Sequence, residues 1–281
     1  LGDVYKRQAT NKQNPPSPPY FQGRYSNGPV WVEYLASELK LPLNSNTNFA
    51  YGGATTGNST TLPPGVLAQI EKFKASNSTA DRNSLYIIWA GANDYLGGAT
   101  DTTAPVNNLT SAVKSIAAVG AKNIVVVNLP NLGNLPGTRT TDRARLLNNL
   151  TQKHNSQLAA SIDNLHQQLN PDINLKYLDI NSIFKQVSSN PSKYGFTNVT
   201  QPCLKEKIKC SNPDRYLFWD NIHPTTATHK LLVDLASPDL KDKPKYPIFS
   251  MPQFPLLLTA LLFVIFGLGA IVKLRQTSKN R

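Results

Sequence analysis

The chain of 281 residues contains few of the residues that commonly bind metals, with only two cysteines and four histidines. Two thiols without a neighbouring histidine or cysteine pair make a poor metal site, so no metal and no other cofactor is expected. No internal repeat occurs, and hydrophobic residues make up 40% of the chain. A wholly disordered or collagen-like protein is therefore excluded, and the length fits one large domain or two small ones.

Acidic residues are also scarce, with 17 Asp and Glu against 29 Lys and Arg, which gives a net charge of +12. Such an excess can indicate binding to nucleic acid or to an anionic membrane. However, no cluster of basic residues is interleaved with aromatic residues, and the last nine residues carry four of the positive charges, at Lys273, Arg275, Lys279 and Arg281. Nucleic acid is therefore not expected as a partner.

The C-terminal part of the chain has a long stretch without charge, because no Asp, Glu, Lys or Arg occurs in residues 246–272. Residues 255–272 are almost wholly apolar and would form a helix of about 27 Å, enough to cross the hydrocarbon core. The stretch predicts a transmembrane helix at 255–273, with a buried core helix as the alternative. The basic residues that follow predict a cytoplasmic tail at 274–281. Residues 237–254, rich in Pro and Lys, are interpreted as a linker.

Cys203 and Cys210 are separated by six residues. This spacing suits a disulfide across a short loop, and disulfides persist in oxidising compartments. The pair agrees with the orientation predicted from the basic tail, in which the folded domain lies outside the cytoplasm, at the cell surface, in the periplasm or in a lumen.

Three apolar runs predict buried β-strands at 84–90, 123–129 and 175–180. Amphipathic segments predict helices at about 29–39, 64–74, 106–119, 140–169 and 225–235. Strands separated by helix-length segments predict an α/β fold with a parallel sheet covered by helices on both faces. Ligands of such folds bind beyond the carboxyl ends of the strands, so a site is expected in the loops that follow them.

Three short segments are candidates for such a site. Gly52 and Gly53 can present backbone N–H groups without obstruction by a Cβ, although glycine pairs also form ordinary turns. Asn93 follows the first predicted strand and is interpreted either as a donor to a developing oxyanion or as a turn residue. Asp220 precedes His223 by three residues and can bond its Nδ1–H, which leaves Nε2 to accept a proton. The alternative for this pair is a capping Asp and a surface His.

The remaining histidines are interpreted as uninvolved in chemistry. A metal site formed by Asp220, His223 and His229 lacks a supporting cluster of Cys or Glu. His154 and His166 lie in the long polar helix predicted after the second strand, where we expect them to be solvated.

The order of the candidate segments resembles the GDSL-type lipase and esterase family of the SGNH hydrolase superfamily. Gly-Gly-Ala at 52–54 is followed by Gly-x-Asn-Asp at 91–94 and by Asp-x-x-His at 220–223. The resemblance covers about 15–236 and includes further segments: Phe21–Trp31, Leu129–Gly133, Asn190–Cys203 and Tyr216–Thr226. It implies a three-layer α/β/α, flavodoxin-like fold with a parallel sheet.

The resemblance also implies roles for four residues. Asp220 and His223 would be the acid and base of a Ser-His-Asp triad. The Gly53 N–H and the Asn93 side chain would donate to the oxyanion. The reaction would be acyl transfer from an ester or lipid through a serine ester, followed by hydrolysis.

The serine itself is not found. The family's nucleophile lies in a Gly-Asp-Ser-Leu block on the first, central strand, and the nearest string here, residues 2–5, has Val4 in the serine position. Ser26 is not in a nucleophile-elbow motif and lies in a segment typical of the family's binding loop. The nucleophile is therefore unknown, and the first strand is expected to be missing.

The beginning of the chain has neither an initiator Met nor an apolar export signal. One truncation would account for these absences and for the missing strand and nucleophile, with a true Val4 variant as the alternative. On this interpretation residues 1–8 are an unrelated leader, 9–236 form an incomplete hydrolase domain, and the chain as written is inactive. A second hypothesis is a non-catalytic, membrane-anchored binding or adhesion domain on the same fold.

Overall fold

A computed structural model of the protein describes residues 15–41 and 47–241. The helices are α1 (Trp31–Glu38), α2 (Val66–Ser76), α3 (Ala92–Leu96), α4 (Thr103–Ala118), α5 (Ala144–Gln168), α6 (Ile180–Ser189) and α7 (Thr226–Lys241). The strands are β1 (Leu85–Ile88), β2 (Asn123–Val127), β3 (Asn174–Leu178), β4 (Asn198–Pro202), β5 (Leu204–Lys205), β6 (Ile208–Lys209) and β7 (Tyr216–Phe218). Short 3₁₀ turns lie at Leu132–Asn134, Pro191–Tyr194 and Pro213–Arg215.

The central sheet is parallel and has the strand order β1-β2-β3. α4 connects β1 to β2, and α5 connects β2 to β3, so the sheet consists of two βαβ units. The two smaller sheets pair β4 with β7 and β5 with β6. The prediction of an α/β fold with a parallel sheet is confirmed.

Helices cover both faces of the central sheet. Side chains alternate along a strand, so Val125 and Val127 of β2 face one helical layer, while Ile124 and Val126 face the other. The first layer includes side chains of α1, α6 and α7, and the second includes side chains of α2, α4 and the second half of α5. The domain therefore has three layers, and its two cores lie on opposite faces of the sheet.

The burial of β2 and α5 follows from this arrangement. All residues of β2 after Asn123 are buried, because both faces of the strand are covered, and the run in the sequence is correspondingly apolar throughout. In α5 the buried positions recur every three or four residues, at Leu147, Leu150, His154, Leu158, Ile162 and Leu165. This spacing places them on one stripe of the helix, and the polar residues face solvent.

The strands and helices predicted between residues 29 and 235 are all present, but helices α3 and α6 and the short strands β4 to β7 were missed. Three residues separate the end of β1 from α3, where a loop was expected, and one residue separates the end of β3 from α6, where the predicted strand continued. The strand predicted at 175–180 ends at Leu178, because Asp179 caps α6 by accepting the Ser182 N–H at 3.1 Å.

The helix α7 extends five residues beyond 236, where the predicted domain ends and the predicted linker begins. Ser237 is 4% exposed, so it packs with the domain. Within residues 15–41 and 47–241, no helix is long and apolar enough to cross a membrane. The predicted leader 1–8 with Val4, the transmembrane helix 255–273 and the tail 274–281 lie outside the described residues.

The outer edge of β1 borders a large groove. Among the described residues β1 pairs only with β2, and none of the residues in 15–41 and 47–84 forms a strand. A groove of about 420 Å³ lies along this edge, and we call it the edge groove. It is lined by Trp31 and Leu35 of α1, by Ile70 and Phe73 of α2, and by segment 47–50. Since its walls come from both helical layers, the edge groove lies in the layer of the sheet.

Candidate active site

A tight loop carries Asp220 and His223 at the carboxyl-end edge of the central sheet. The loop begins after β7 and is closed by the Trp219 N–H, which donates to the His223 carbonyl at 2.7 Å. Gly137, in the segment that follows β2, donates its N–H to the Asn221 carbonyl at 2.9 Å. The loop is therefore fixed where ligands of parallel α/β sheets bind.

The structure brings the predicted acid and base into direct contact. His223 Nδ1 lies 2.8 Å from Asp220 Oδ2 and 3.0 Å from Oδ1. Asp220 Oδ1 also accepts the N–H groups of Ile222 and His223, at 2.8 and 2.7 Å. The two side chains are only 15% and 13% exposed, so His223 is not the surface residue of the alternative interpretation. The imidazole is held through Nδ1, which leaves Nε2 as its proton acceptor.

The hydrogen bonds keep Asp220 ionised. Burial would raise the pKa of its carboxyl, but the bonds from the His223 ring and from the N–H groups of His223 and Ile222 outweigh burial, so the pKa lies below the usual value. A buried carboxylate beside Nδ1 stabilises the imidazolium that forms when Nε2 takes up a proton.

Two tyrosines complete the surroundings of the pair, and the sequence analysis did not identify either. Tyr20 donates its hydroxyl to Asp220 Oδ2 at 2.8 Å, and burial and this carboxylate raise its pKa, so the hydroxyl stays protonated. The ring of Tyr25 stacks on the His223 imidazole at a centroid distance of 4.5 Å and an angle of 14°. The only signals in the sequence were that Tyr20 follows the Pro-rich residues 15–19 and that Tyr25 lies within the family-like segment Phe21–Trp31.

The predicted oxyanion donors are also brought together. Asn93 lies in α3, directly after Gly91, whose φ of 117° turns the chain out of β1. The Asn93 side chain donates Nδ2–H to the Ala54 carbonyl at 2.9 Å, which ties it to the residue after Gly53. Gly53 has a φ of 79°, a left-handed conformation that favours glycine.

Asp94 and Thr56 hold this second loop in place. Asp94 accepts the Thr56 hydroxyl at 2.7 Å and its N–H at 3.0 Å. Asn108 of α4 donates to the same hydroxyl at 3.1 Å. Burial raises the pKa of Asp94, and the bonds from Thr56 oppose that shift. These residues fix the loop that carries Gly53 against the end of β1.

Ser26 does not have the environment of a nucleophile. Its side chain is fully buried, and its hydroxyl donates to the Pro224 carbonyl at 3.0 Å. This bond joins the segment that carries Tyr25 to the residue after His223. Ser26 therefore supports the site structurally, and Val4, the other position considered, lies outside the described residues.

The prediction that His154 is solvated is wrong. His154 is fully buried, its Nδ1 lies 2.8 Å from the Tyr95 hydroxyl, and burial lowers its pKa to about 4. A Cβ at Gly91 would come within 3.0 Å of its ring, so the neutral imidazole packs beneath the turn that leads to Asn93. The position of His154 on the apolar stripe of α5 was the signal in the sequence that indicated burial. His166, one position off the stripe, is partly exposed.

His229 is a buried residue of α7. It is 1% exposed, and burial lowers its pKa to about 3, so the ring is neutral near pH 7. Among residues 15–41 and 47–241, no three His, Cys, Asp or Glu side chains form a group that could hold a metal.

The predicted disulfide is present. Cys203 and Cys210 are bonded, with their Cα atoms 4.9 Å apart. The Cys203 N–H donates to the Phe218 carbonyl at 3.0 Å, so the bridged loop is attached to β7, two residues before Asp220.

The protein has three α/β/α layers, and its Asp-His pair, the Gly53 loop and Asn93 lie at the carboxyl-end edge of the sheet. This combination is typical of hydrolases with an α/β fold. The profile of the GDSL-like lipase/acylhydrolase family matches residues 3–236. The chain therefore belongs to the GDSL lipase/acylhydrolase family.

Several characterised proteins are similar to the chain. Thermolabile hemolysin of Vibrio parahaemolyticus is 25% identical over 261 residues, which cover 83% of this chain and 59% of the hemolysin. Phosphatidylcholine-sterol acyltransferase of Aeromonas hydrophila is 27% identical, with 79% of this chain and 82% of that protein covered. A GDSL lipase of Tanacetum cinerariifolium is 25% identical, with 76% and 72% covered. The chain spans less than two thirds of the hemolysin's length.

Proposed function

We propose that the protein is a carboxylic ester hydrolase that transfers an acyl group through a serine ester. The observation that carries the proposal is the Asp220–His223 pair, in which the carboxylate lies 2.8 Å from Nδ1. Membership of a family of lipases and acylhydrolases supports the same reaction. The relatives named as lipase and phosphatidylcholine-sterol acyltransferase favour lipid esters among the possible substrates.

In the first step, His223 Nε2 accepts the proton of a serine hydroxyl as its oxygen attacks the ester carbonyl. The negative charge then moves to the carbonyl oxygen, which accepts hydrogen bonds from the Gly53 N–H and the Asn93 amide. The imidazolium returns its proton to the departing alcohol, and a serine ester remains. Water, deprotonated by Nε2, then attacks that ester. The imidazolium gives this proton to the departing serine oxygen, which releases the acid and restores the serine hydroxyl.

We propose that the serine is supplied by a strand in the edge groove. The N–H and C=O groups at the outer edge of β1 require hydrogen-bond partners, which a strand provides and a lipid acyl chain does not. A strand parallel to β1 would end beside Asn93, at the same edge as His223. The sequence contains no Gly-Asp-Ser-Leu block, and Ser26 is buried and bonded to the Pro224 carbonyl, so we expect the 281-residue chain alone to be inactive.

The test joins a short apolar strand and Gly-Asp-Ser-Leu to the beginning of the chain, to give what we call the serine-completed chain. We expect it to hydrolyse a p-nitrophenyl ester, and we expect its Ser→Ala version and the original chain not to. Activity of the original chain that disappears in His223→Ala would refute the missing-nucleophile hypothesis. If the serine-completed chain folds but remains inactive, the esterase proposal fails, and a binding or adhesion domain becomes the better hypothesis.

We also propose that the domain is exported and anchored by residues 255–273, with residues 274–281 in the cytoplasm. The charge-free apolar run and the basic residues after it support this orientation. The Cys203–Cys210 disulfide supports an oxidising compartment. External protease should digest the domain in intact cells and spare an epitope on the tail. Recovery of the full chain in the aqueous fraction after cell lysis would contradict the anchor.

A further inference from the structure

A small, cross-linked β-hairpin projects from the domain next to the candidate site. β5 and β6 pair antiparallel, with Leu204 opposite Lys209 and Lys205 opposite Ile208. The Cys203–Cys210 disulfide closes the base of the hairpin, where the Cys210 N–H also donates to the Cys203 carbonyl at 2.8 Å. Glu206 in the turn has a φ of 56°, which few residues other than glycine adopt. We call residues 204–209 the basic hairpin.

The two faces of the basic hairpin differ in exposure. Leu204 is 6% exposed and packs with Cys203 and Trp219 in a small cluster. Ile208 belongs to the opposite face and is 75% exposed, the largest value among the large hydrophobic side chains of the described residues. The disulfide and the buried face therefore hold an apolar side chain out in solvent. Burial of such a side chain against another apolar phase is favourable.

The exposed isoleucine is surrounded by positive charge. Lys205, Lys207 and Lys209 are exposed, and Glu206 is the one acidic residue of the hairpin. The ion pairs formed within residues 15–41 and 47–241 involve none of these three lysines. The tip therefore presents an apolar side chain within a net positive patch, which is the composition of segments that bind anionic lipid surfaces.

The basic hairpin is fixed to the active-site loop. The Leu204 N–H donates to the Trp219 carbonyl at 2.7 Å, one residue before Asp220. Tyr20, which donates to Asp220, packs against the same cluster as Cys203 and Trp219. A surface that binds the basic hairpin would consequently lie near the Asp220–His223 pair.

We propose that the basic hairpin docks the domain on the surface of a phospholipid bilayer that contains anionic lipids. Ile208 enters the boundary between head groups and acyl chains, and the three lysines contact lipid phosphates. This inference rests on the proposed lipid-ester hydrolysis. It adds that the enzyme takes its lipid substrate from the surface of the bilayer. Single-stranded nucleic acid fits less well, because residues 204–209 contain no aromatic ring on which bases could stack.

The test labels the full chain at one position with an environment-sensitive fluorophore. Both cysteines are in the disulfide, so Ile208→Cys introduces a single reactive thiol, and Leu146→Cys provides a matched control at a leucine that is 42% exposed on α5. Each labelled chain is reconstituted with vesicles of phosphatidylcholine alone or mixed with phosphatidylglycerol. The readout does not depend on ester hydrolysis, so its failure is separable from failure of the esterase proposal.

We expect a blue-shifted, brighter emission at position 208 on the mixed vesicles, a weaker response on phosphatidylcholine, and none at 146. Added salt should reduce the response, and each Lys→Gln change at 205, 207 or 209 should weaken it about fivefold. Equal behaviour of the labels at 208 and 146 on both vesicle types would overturn the proposal. So would a response at 208 that is the same on neutral and anionic vesicles, or one that appears only with an added acidic protein.

Discussion

The Asp220–His223 loop and the outer edge of β1 are completed in different ways. The loop is closed by hydrogen bonds between residues within four positions of one another, and Tyr20 and Gly137 each add one bond from a distant segment. The edge of β1 instead borders a groove of about 420 Å³ between two helical layers. The acid–base half of the site is thus organised mainly by local hydrogen bonds, whereas we propose that a partner strand completes the sheet edge. The two halves should therefore respond differently to substitution.

The largest effect is expected from loss of the Asp220 carboxylate, which organises the Asp220–His223 loop. In the serine-completed chain, Asp220→Asn should lower kcat about ten-thousandfold, because the imidazole loses its orienting acceptor and the stabilisation of its charged form. Hydrolysis of a p-nitrophenyl ester measures the change. Asp234→Asn, at an exposed carboxylate paired with Lys230, is the control and should have little effect. Similar rates for the two variants would mean that the Asp220–His223 pair is not catalytic.

A smaller effect is expected on the pH dependence of stability. The neutral His154 packs beneath the turn between β1 and Asn93, and protonation of this histidine should destabilise the fold. Its pKa is lowered from 6.5 to about 4 in the folded state, so the unfolded chain binds the proton at higher pH. The contribution of His154 to the free energy of unfolding should therefore fall by up to about 3 kcal/mol as the pH decreases from about 6.5 to about 4.

Urea unfolding at several pH values measures this loss. His154→Gln should remove about half of the dependence on the histidines, because His229, whose pKa is lowered to about 3, leaves a slope of similar size. His166→Gln, at a partly exposed position of the same helix, should leave the slope nearly unchanged. If His154→Gln and the unsubstituted chain lose stability equally, the histidine is not the buried neutral group described here.

Substitution of two isoleucines tests whether the edge of β1 is less buried than the interior of the sheet. Ile124 of β2 is fully buried, whereas Ile87 of β1 is partly exposed and lines the edge groove. Ile124→Ala should reduce the free energy of unfolding by about 3 kcal/mol, and Ile87→Ala by only about 1 kcal/mol. In the serine-completed chain the difference should shrink, because the added strand buries Ile87. Equal costs before the strand is added would contradict an open edge.

The smallest effect should come from the tyrosine that joins the acid–base loop to a distant segment. Tyr20→Phe in the serine-completed chain removes one hydrogen bond to Asp220 and should lower kcat about fivefold, which corresponds to about 1 kcal/mol. Tyr34→Phe is a matched control, since it removes a 2.7 Å bond to the Thr226 hydroxyl without touching Asp220. A larger loss in Tyr34→Phe than in Tyr20→Phe would show that general stability, not the carboxylate, is affected.

The sequence predicted the elements with strong patterns. β2 and α5 were found because an apolar run and a three-to-four-residue stripe directly reflect burial. α6 was missed although Ile180, Phe184 and Val187 recur at helical spacing, because β3 runs into the helix with only Asp179 between them and the apolar run was read as a longer strand. The polar type of His154 predicts exposure to solvent, but its position on the apolar stripe of α5 places it in the core.

The candidate site was predictable where it is local. Asp220 and His223 are three residues apart, so one turn of backbone brings them together. Tyr20 lies 200 positions from Asp220, and Tyr25 is similarly distant from His223. No pattern along the chain indicates such pairs, because their contact depends on how the segment before α1 packs against β7 and α7.

The sequence by itself determined the class of fold, the disulfide and the Asp-His pair, because each depends on periodicity or on short spacing between particular residues. The family was indicated by the resemblance of several segments along the chain. Only the tertiary structure decided that His154 is buried and neutral, that Ser26 is engaged with Pro224, and that two tyrosines surround the pair. It also placed the edge groove in the plane of the sheet. These features depend on packing between segments that are far apart in the chain, and burial and hydrogen bonding there are set by three-dimensional proximity.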